Sequence, residues 1–229
     1  MYEEPDLEIC YGPMKSGKSR YLVQKAEALF AAGIPFLAFK PRQDTRDGCF
    51  IRSRDSLCRD IQALGIDTAA EILPLLQAPG LGKECDSEQE ALHLRQYLPI
   101  GSQPQACLID EVFLLDSGLL AVLRELSTQG ISVYLSGLDR DFRREYFPLR
   151  DYAQTGVTMQ AVIEICKTHL PLHASCESCG SDAPFTQRLV NGQPAHYNSP
   201  TVLIGDEEYQ PRCKAHHEVV GHPQLSLAS

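Results

Sequence analysis

The stretch Leu7–Leu22, LEICYGPMKSGKSRYL, decides how the rest of the chain is read. Leu7 to Tyr11 form an apolar run with the length of a buried strand, and Lys18 to Ala32 carry a helical apolar stripe that stops at Gly33. Between them Gly12, Gly17, Lys18 and Ser19 fit Gly-x4-Gly-Lys-Ser, with Pro13, Met14, Lys15 and Ser16 completing the loop. Glycines let the backbone curl so that successive N–H groups point at one anion. The lysine adds a charge for the outer phosphates and the serine hydroxyl suits Mg2+. Strand, glycine loop and helix in this order predict a phosphate-binding loop on an α/β sheet.

Bulk composition narrows the setting. With 229 residues and 43% apolar content the chain can bury a substantial core, and its length allows one large domain and a small one. A net charge of −9 spread along the sequence argues against a surface dedicated to nucleic acid. No apolar run approaches the roughly 20 residues needed to cross a bilayer, and the acidic start is unlike a secretory signal. A soluble, cytoplasmic protein with no membrane partner is expected. In that compartment the nine cysteines read as metal ligands or buried thiols rather than disulfides.

Outward from the loop, Ile34 to Lys40 reads as a second strand, with Phe50–Arg52 and Asp60–Leu64 as further short candidates. Thr68-Ala-Ala-Glu71 has capping-box spacing and opens a helix toward Leu76. Pro79 to Pro104 looks like an insertion carrying one helix, Glu88 to Leu98. Ala106 to Ile109 is a buried strand, Ser117 to Gln129 a helix stopped by Gly130, and Ile131 to Ser136 another buried strand. Alternating strands and helices predict a parallel, doubly wound sheet. Past about Pro171 short polar segments carry Cys, His, Gly and Pro. The expected organisation is an α/β domain over 1–170, a small metal-stapled domain over 171–220 and a loose tail over 221–229.

Asp110 and Glu111 end the Ala106–Ile109 strand, where Asp110 is the natural Mg2+ partner alongside Ser19, and Glu111 could take a proton from whatever attacks the terminal phosphate. Lys40, Asp44 and Arg46 put alternating charges at a strand's carboxyl end, where open α/β sheets bind ligands. Arg46 could neutralise a transferring phosphoryl group and Asp44 could join the metal network. These groups alone leave open whether the acceptor is water, as in an ATPase, or a substrate hydroxyl, as in a kinase. Cys176-x2-Cys179 and Cys213-x2-His216, about three dozen residues apart, have the spacing of a closed tetrahedral zinc site, with His216 favoured over the adjacent His217. Cys10, Cys49, Cys58, Cys85, Cys107 and Cys166 lack such spacing and are expected to be small buried residues.

Gly-Pro-Met-x-Ser-Gly-Lys-Ser, Lys-Pro-x-x-Asp-x-Arg, Asp-Glu-Val, Gly-Leu-Asp-x-Asp-Phe and a terminal zinc lobe with Phe-Thr-Gln-Arg-Leu occur in one order from Gly12 to His216. In this the chain resembles the type II thymidine kinases. The resemblance implies a RecA-like α/β domain with a zinc-ribbon-like lasso domain. It implies transfer of the ATP γ-phosphate to the 5′-hydroxyl of thymidine or deoxyuridine with Mg2+, and a homotetramer restrained by thymidine triphosphate. It casts Glu111 as the base and Arg46 and Lys18 as phosphate clamps. Met14, Leu138, Phe142, Phe147 and Thr186 would wall the thymine, and Leu203, Ile204, Gly205 and Tyr209 would form the lasso over it. Lys15 stands where that family usually has an aromatic residue and Phe113 where it usually has Gln, the lasso is one residue shorter, and 79–104 and 149–157 are insertions. The rival readings are a RecA-like zinc ATPase acting on nucleic acid and a non-catalytic nucleotide sensor.

Overall fold

The strand expected at Leu7–Tyr11 forms as β1, and a computed structural model describing residues 5–53, 60–77, 96–99, 101–201 and 208–223 sets it near one side of a six-stranded sheet. The sheet strands are β1, β2 (Phe36–Pro41), β5 (Leu64–Ile66), β6 (Ala106–Ile109), β7 (Ser132–Gly137) and β8 (Thr168–Pro171), ordered β5-β2-β6-β7-β1-β8 and parallel throughout. Two further short strands, β3 (Phe50–Ile51) and β4 (Ile61–Gln62), pair as an antiparallel ribbon outside it.

Because side chains alternate across a strand, each sheet face collects its own half of the apolar residues. Phe36, Ala38, Ala106 and Leu108 pack with Leu22, Val23, Ala26 and Leu29 of α1 (Lys18–Ala31), and Ile51 and Ile61 close that layer. Leu37, Phe39, Cys107, Ile109, Val133 and Leu135 face α2 (Ile72–Gln77), α3 (Leu119–Thr128) and α5 (Met159–Ile165). Each fully buried Leu, Ile, Val or Phe among them contributes about 1.5–3 kcal/mol from area removed from water. A further helix, α4 (Tyr152–Thr155), is one turn.

Element boundaries depart from the sequence reading for local reasons. Thr68 and Glu71 do make the reciprocal capping box, but it opens a single 3-10 turn, Ala69–Glu71, ahead of α2. The helix expected from Ser117 starts at Leu119, because Asp151 accepts from the Ser117 amide and hydroxyl at 2.8 and 2.6 Å and Asp116 accepts from the Gly118 amide at 3.0 Å. The expected Glu88–Leu98 helix lies largely outside the described residues, although Leu98 is buried in the core. Cys10, Cys107 and Cys166 are buried as expected, Cys49 is only half-buried, and Cys58 and Cys85 lie outside the described residues.

Beyond β8 come two small antiparallel sheets. β9 (Ala174–Ser175) pairs with β10 (Asp182–Ala183), and β11 (Phe185–Val190) lies between β12 (Gln193–Pro194) and β13 (Glu208–Arg212). The loops after β1, β2, β6 and β7 all leave the carboxyl edge of four adjacent parallel strands, so the chemistry-bearing loops stand side by side.

Candidate active site

The loop after β1 holds its shape through backbone conformations that few residues adopt. Gly12, Lys15 and Gly17 have φ of 146°, 62° and 93°, an interrupted left-handed pattern that turns amides toward one side. Gly17 precedes α1 without any side-chain cap, leaving the helix N-terminus open to an anion. Lys18 is buried, and its ammonium donates to the carbonyls of Gly12 at 3.1 Å and Pro13 at 2.6 Å. Burial pulls its pKa down while the neighbouring Glu111 and Asp110 carboxylates push it back up.

The acids converge on this lysine from the loops after β2 and β6. Asp110 is buried, accepts from the Ser136 hydroxyl and from the Glu111 amide at 3.0 Å, and is pushed up to about 7 by burial and then by the Glu111 charge. Glu111 has φ of 49°, a strained position for a side-chain-bearing residue. One of its oxygens accepts from Arg46 Nη2. The other, Oε2, is buried without a hydrogen-bond partner among the described residues. Arg46 Nε also donates to Asp44 at 2.7 Å, and Lys40 pairs with Asp44 at 3.3 Å. Burial alone would raise the Asp44 carboxyl, but Arg46 and Lys40 hold it below the ordinary range.

These groups line one cavity of about 500 Å³, together with Met14, Lys15, Ser16, Gly17 and Ser19. The same cavity takes in Arg20, Asp47, Phe50, Arg52 and Ser53, which the sequence reading passed over. Arg20 could have been noticed, since it follows Ser19 directly. Phe50–Arg52 read only as a short strand with no sign of a ligand, because only the folded ribbon carries it to the cavity.

A second group of side chains is joined to this cavity through Met14. The Met14 amide donates to Thr186 Oγ1 at 2.9 Å, joining the phosphate loop to β11. Arg144 Nε donates to His217 Nδ1 at 3.1 Å, which leaves the ring proton on Nε2, and Nε2 donates to the Thr186 carbonyl at 3.2 Å. Burial, and then the Arg144 charge, pull His217 down to about 4 and keep it neutral in this arrangement. Leu138, Phe142 and Phe147 are buried. Phe147 meets Phe113 edge-on at 4.4 Å, and the Arg143 and Arg188 guanidinium groups lie over the Phe142 ring at 4.3 and 5.2 Å. Tyr209 is half-buried on β13 opposite Arg188, while Leu203, Ile204 and Gly205 lie outside the described residues.

At the far end of the small sheets Cys176, Cys179, Cys213 and His216 bring one ligand atom each within 4.8 Å of one another. Cys179 and Cys213 sulfurs are 3.8 Å apart and Cys213 Sγ lies 3.2 Å from His216 Nδ1. Zn–S bonds of about 2.3 Å at tetrahedral angles put sulfurs about 3.8 Å apart, so the donor set and spacing fit zinc, and four ligands leave no open position. His217, the other histidine considered, is turned away to Thr186.

The family model described as thymidine kinase matches residues 5–78 and 81–217. The chain belongs to the thymidine kinase family. It is 35% identical over 219 residues to the thymidine kinase of Mycoplasmoides gallisepticum, covering 95% of this chain and 83% of that one. It is 33% identical to that of Coprothermobacter proteolyticus (94% and 91% covered) and 31% identical to that of Deinococcus deserti (95% and 96% covered). Membership makes the chain an ATP-dependent thymidine kinase, a transferase, and the alternative of a nucleic-acid ATPase finds no support.

For this kinase the most demanding position in the loop is Gly12. A Cβ there would stand 2.1 Å from the Leu172 carbonyl oxygen, in a backbone conformation that L-residues avoid. Gly12→Ala is expected to destabilise the protein by at least the 1–3 kcal/mol of that conformation alone and to weaken nucleotide binding. Thermal unfolding and ATP titration would check both effects, and an unchanged midpoint would contradict the close approach.

Proposed function

We propose that the chain transfers the ATP γ-phosphoryl group to the 5′-hydroxyl of thymidine or deoxyuridine, with Glu111 accepting the hydroxyl proton. The observation that carries this reading is the unpartnered, buried Glu111 Oε2 in the same cavity as Lys18 and Arg46. A proton acceptor needs a free lone pair near the attacking oxygen, and charge developing on the phosphoryl oxygens needs cations beside it. Arg46 is 51% exposed at its side chain, so it is free to swing from Glu111 onto a phosphoryl group. Gly12 to Ser19 would cradle the β- and γ-phosphates. Mg2+ would be held by the Ser19 hydroxyl and Asp110, with Asp44 nearby, a hard-oxygen set suited to that ion, and it would neutralise charge between the phosphates.

On the acceptor side, Met14, Leu138, Phe142, Phe147 and Thr186 would enclose a pyrimidine, with Tyr209 and the segment containing Leu203, Ile204 and Gly205 covering it. Thr186, fixed on both sides by Met14 and His217, is the residue whose placement most limits the pocket. A purine would have to displace backbone here, and that clash costs more than one lost contact. The chain is further read as a cytoplasmic homotetramer restrained by thymidine triphosphate, built from an α/β domain over 1–170 and a zinc domain over 171–220. Among the described residues no helix is long and apolar enough to cross a membrane.

Incubation with Mg-ATP and each nucleoside separately tests the assignment. Monophosphates of thymidine and deoxyuridine are expected, with little or none from deoxyadenosine and deoxyguanosine. Thr186→Phe, which also strands the Met14 amide, should raise the thymidine KM about tenfold or more, since an unmade buried hydrogen bond costs about 1–3 kcal/mol. Efficient purine phosphorylation by the wild type would overturn the pocket.

A further inference from the structure

Lys15 is a cation in a phosphate loop, yet its ammonium is turned to the zinc lobe, where it meets Glu177 Oε1 at 2.6 Å. Glu177 lies between the ligands Cys176 and Cys179, and its amide donates to the Pro211 carbonyl at 3.1 Å, so its backbone is fixed by the knuckle and by β13. Lys15 itself has φ of 62°. For a lysine this left-handed conformation is strained and persists only where surrounding contacts enforce it. Two neighbouring contacts come from the same direction: the Leu172 carbonyl covers Gly12, and Thr186 takes the Met14 amide. Positions 12, 14 and 15 of the loop are thus seated on residues that all follow β8.

We propose that Glu177 is a positioning residue for the donor nucleotide: through Lys15 it holds the loop apex in its left-handed, anion-ready conformation, so that triphosphate affinity depends on the zinc lobe. The proposal rests on the reading that this loop holds the triphosphate. Lys15 then acts by where it holds its own amide, and its charge is neutralised by Glu177. The pair is about one-third exposed on each side (33% and 35%), so solvent screens it and the effect is modest.

The test is calorimetric titration of the zinc-loaded protein with Mg-AMP-PNP. Glu177→Gln should weaken binding about threefold, in line with up to about 1 kcal/mol for such a pair. Glycine adopts a positive φ without strain, so in a Lys15→Gly background the Glu177→Gln change should have no further effect. The exchanged pair Lys15→Glu with Glu177→Lys should return affinity to within about twofold of wild type. Unchanged affinity in Glu177→Gln, or the same loss with and without Lys15, would overturn the proposal. Because the readout is nucleotide binding, it remains decisive even if no nucleoside is phosphorylated, which would instead refute the proposed transfer reaction.

Discussion

Glu111→Gln is expected to fold normally, bind ATP and lose about 10²- to 10⁴-fold in turnover, the usual worth of a positioned general base. The substitution keeps the shape of the side chain and an oxygen for the Arg46 bond. What it removes is the capacity of the second, unpartnered position to take a proton. The loss should therefore appear in kcat, with nucleotide affinity nearly preserved, and it should not be recovered by raising either substrate concentration. Steady-state kinetics beside ATP titration separate these outcomes. Turnover near the wild-type value would show that another group, or none, accepts the proton.

Zinc withdrawal should have the other large effect. Freshly purified protein is expected to hold one zinc per chain on Cys176, Cys179, Cys213 and His216, and closing such a site is worth on the order of 10 kcal/mol. Among the described residues the buried apolar residues of the small sheets are few and mostly small: Cys176, Ala183, Ala195, Pro211 and Cys213. So little apolar area cannot replace the metal. Cys179→Ser should release β9, β10 and the end of β13 and with them the anchor of Thr186. Nucleoside affinity should fall by more than tenfold while ATP affinity falls only severalfold. Metal analysis and paired titrations decide this. Absence of zinc, or unchanged nucleoside affinity in the variant, would refute the structural role.

Much of this arrangement was legible in the sequence because its signals are short-range. Gly12 to Ser19, Asp110-Glu111, Cys176-x2-Cys179 and Cys213-x2-His216 each state their chemistry within a few residues. β1, β2, β6 and β7 announce themselves as continuous apolar runs because both faces are covered, whereas the strand expected at Asp60–Leu64 divides between β4, outside the sheet, and β5, which starts only at Leu64. β8 was missed for the complementary reason: it is an edge strand whose residues are mostly exposed, so no apolar pattern marks it. The Arg46–Glu111 and Lys15–Glu177 pairs join residues 65 and 162 positions apart. Nothing local distinguishes such charges from solvated ones until the loops are brought together. Phe113 could be noted in the sequence only as a departure, and its contact with Phe147 depends on how the turn after Glu111 folds.

The order of the sheet also governs where this enzyme is free to change. The segment between α2 and β6 re-enters the sheet at Ala106, the first residue of β6, and Tyr97 stacks on Phe36, the first residue of β2, at 4.8 Å. Both points lie at the amino ends of the strands, the full length of the sheet away from the loops that carry the chemistry. Doubling the length of such a connection costs only about 0.6 kcal/mol in closure entropy. A change of length between these two strand ends therefore leaves the chemistry-bearing rim in place, which makes this connection the place to graft a reporter or affinity tag.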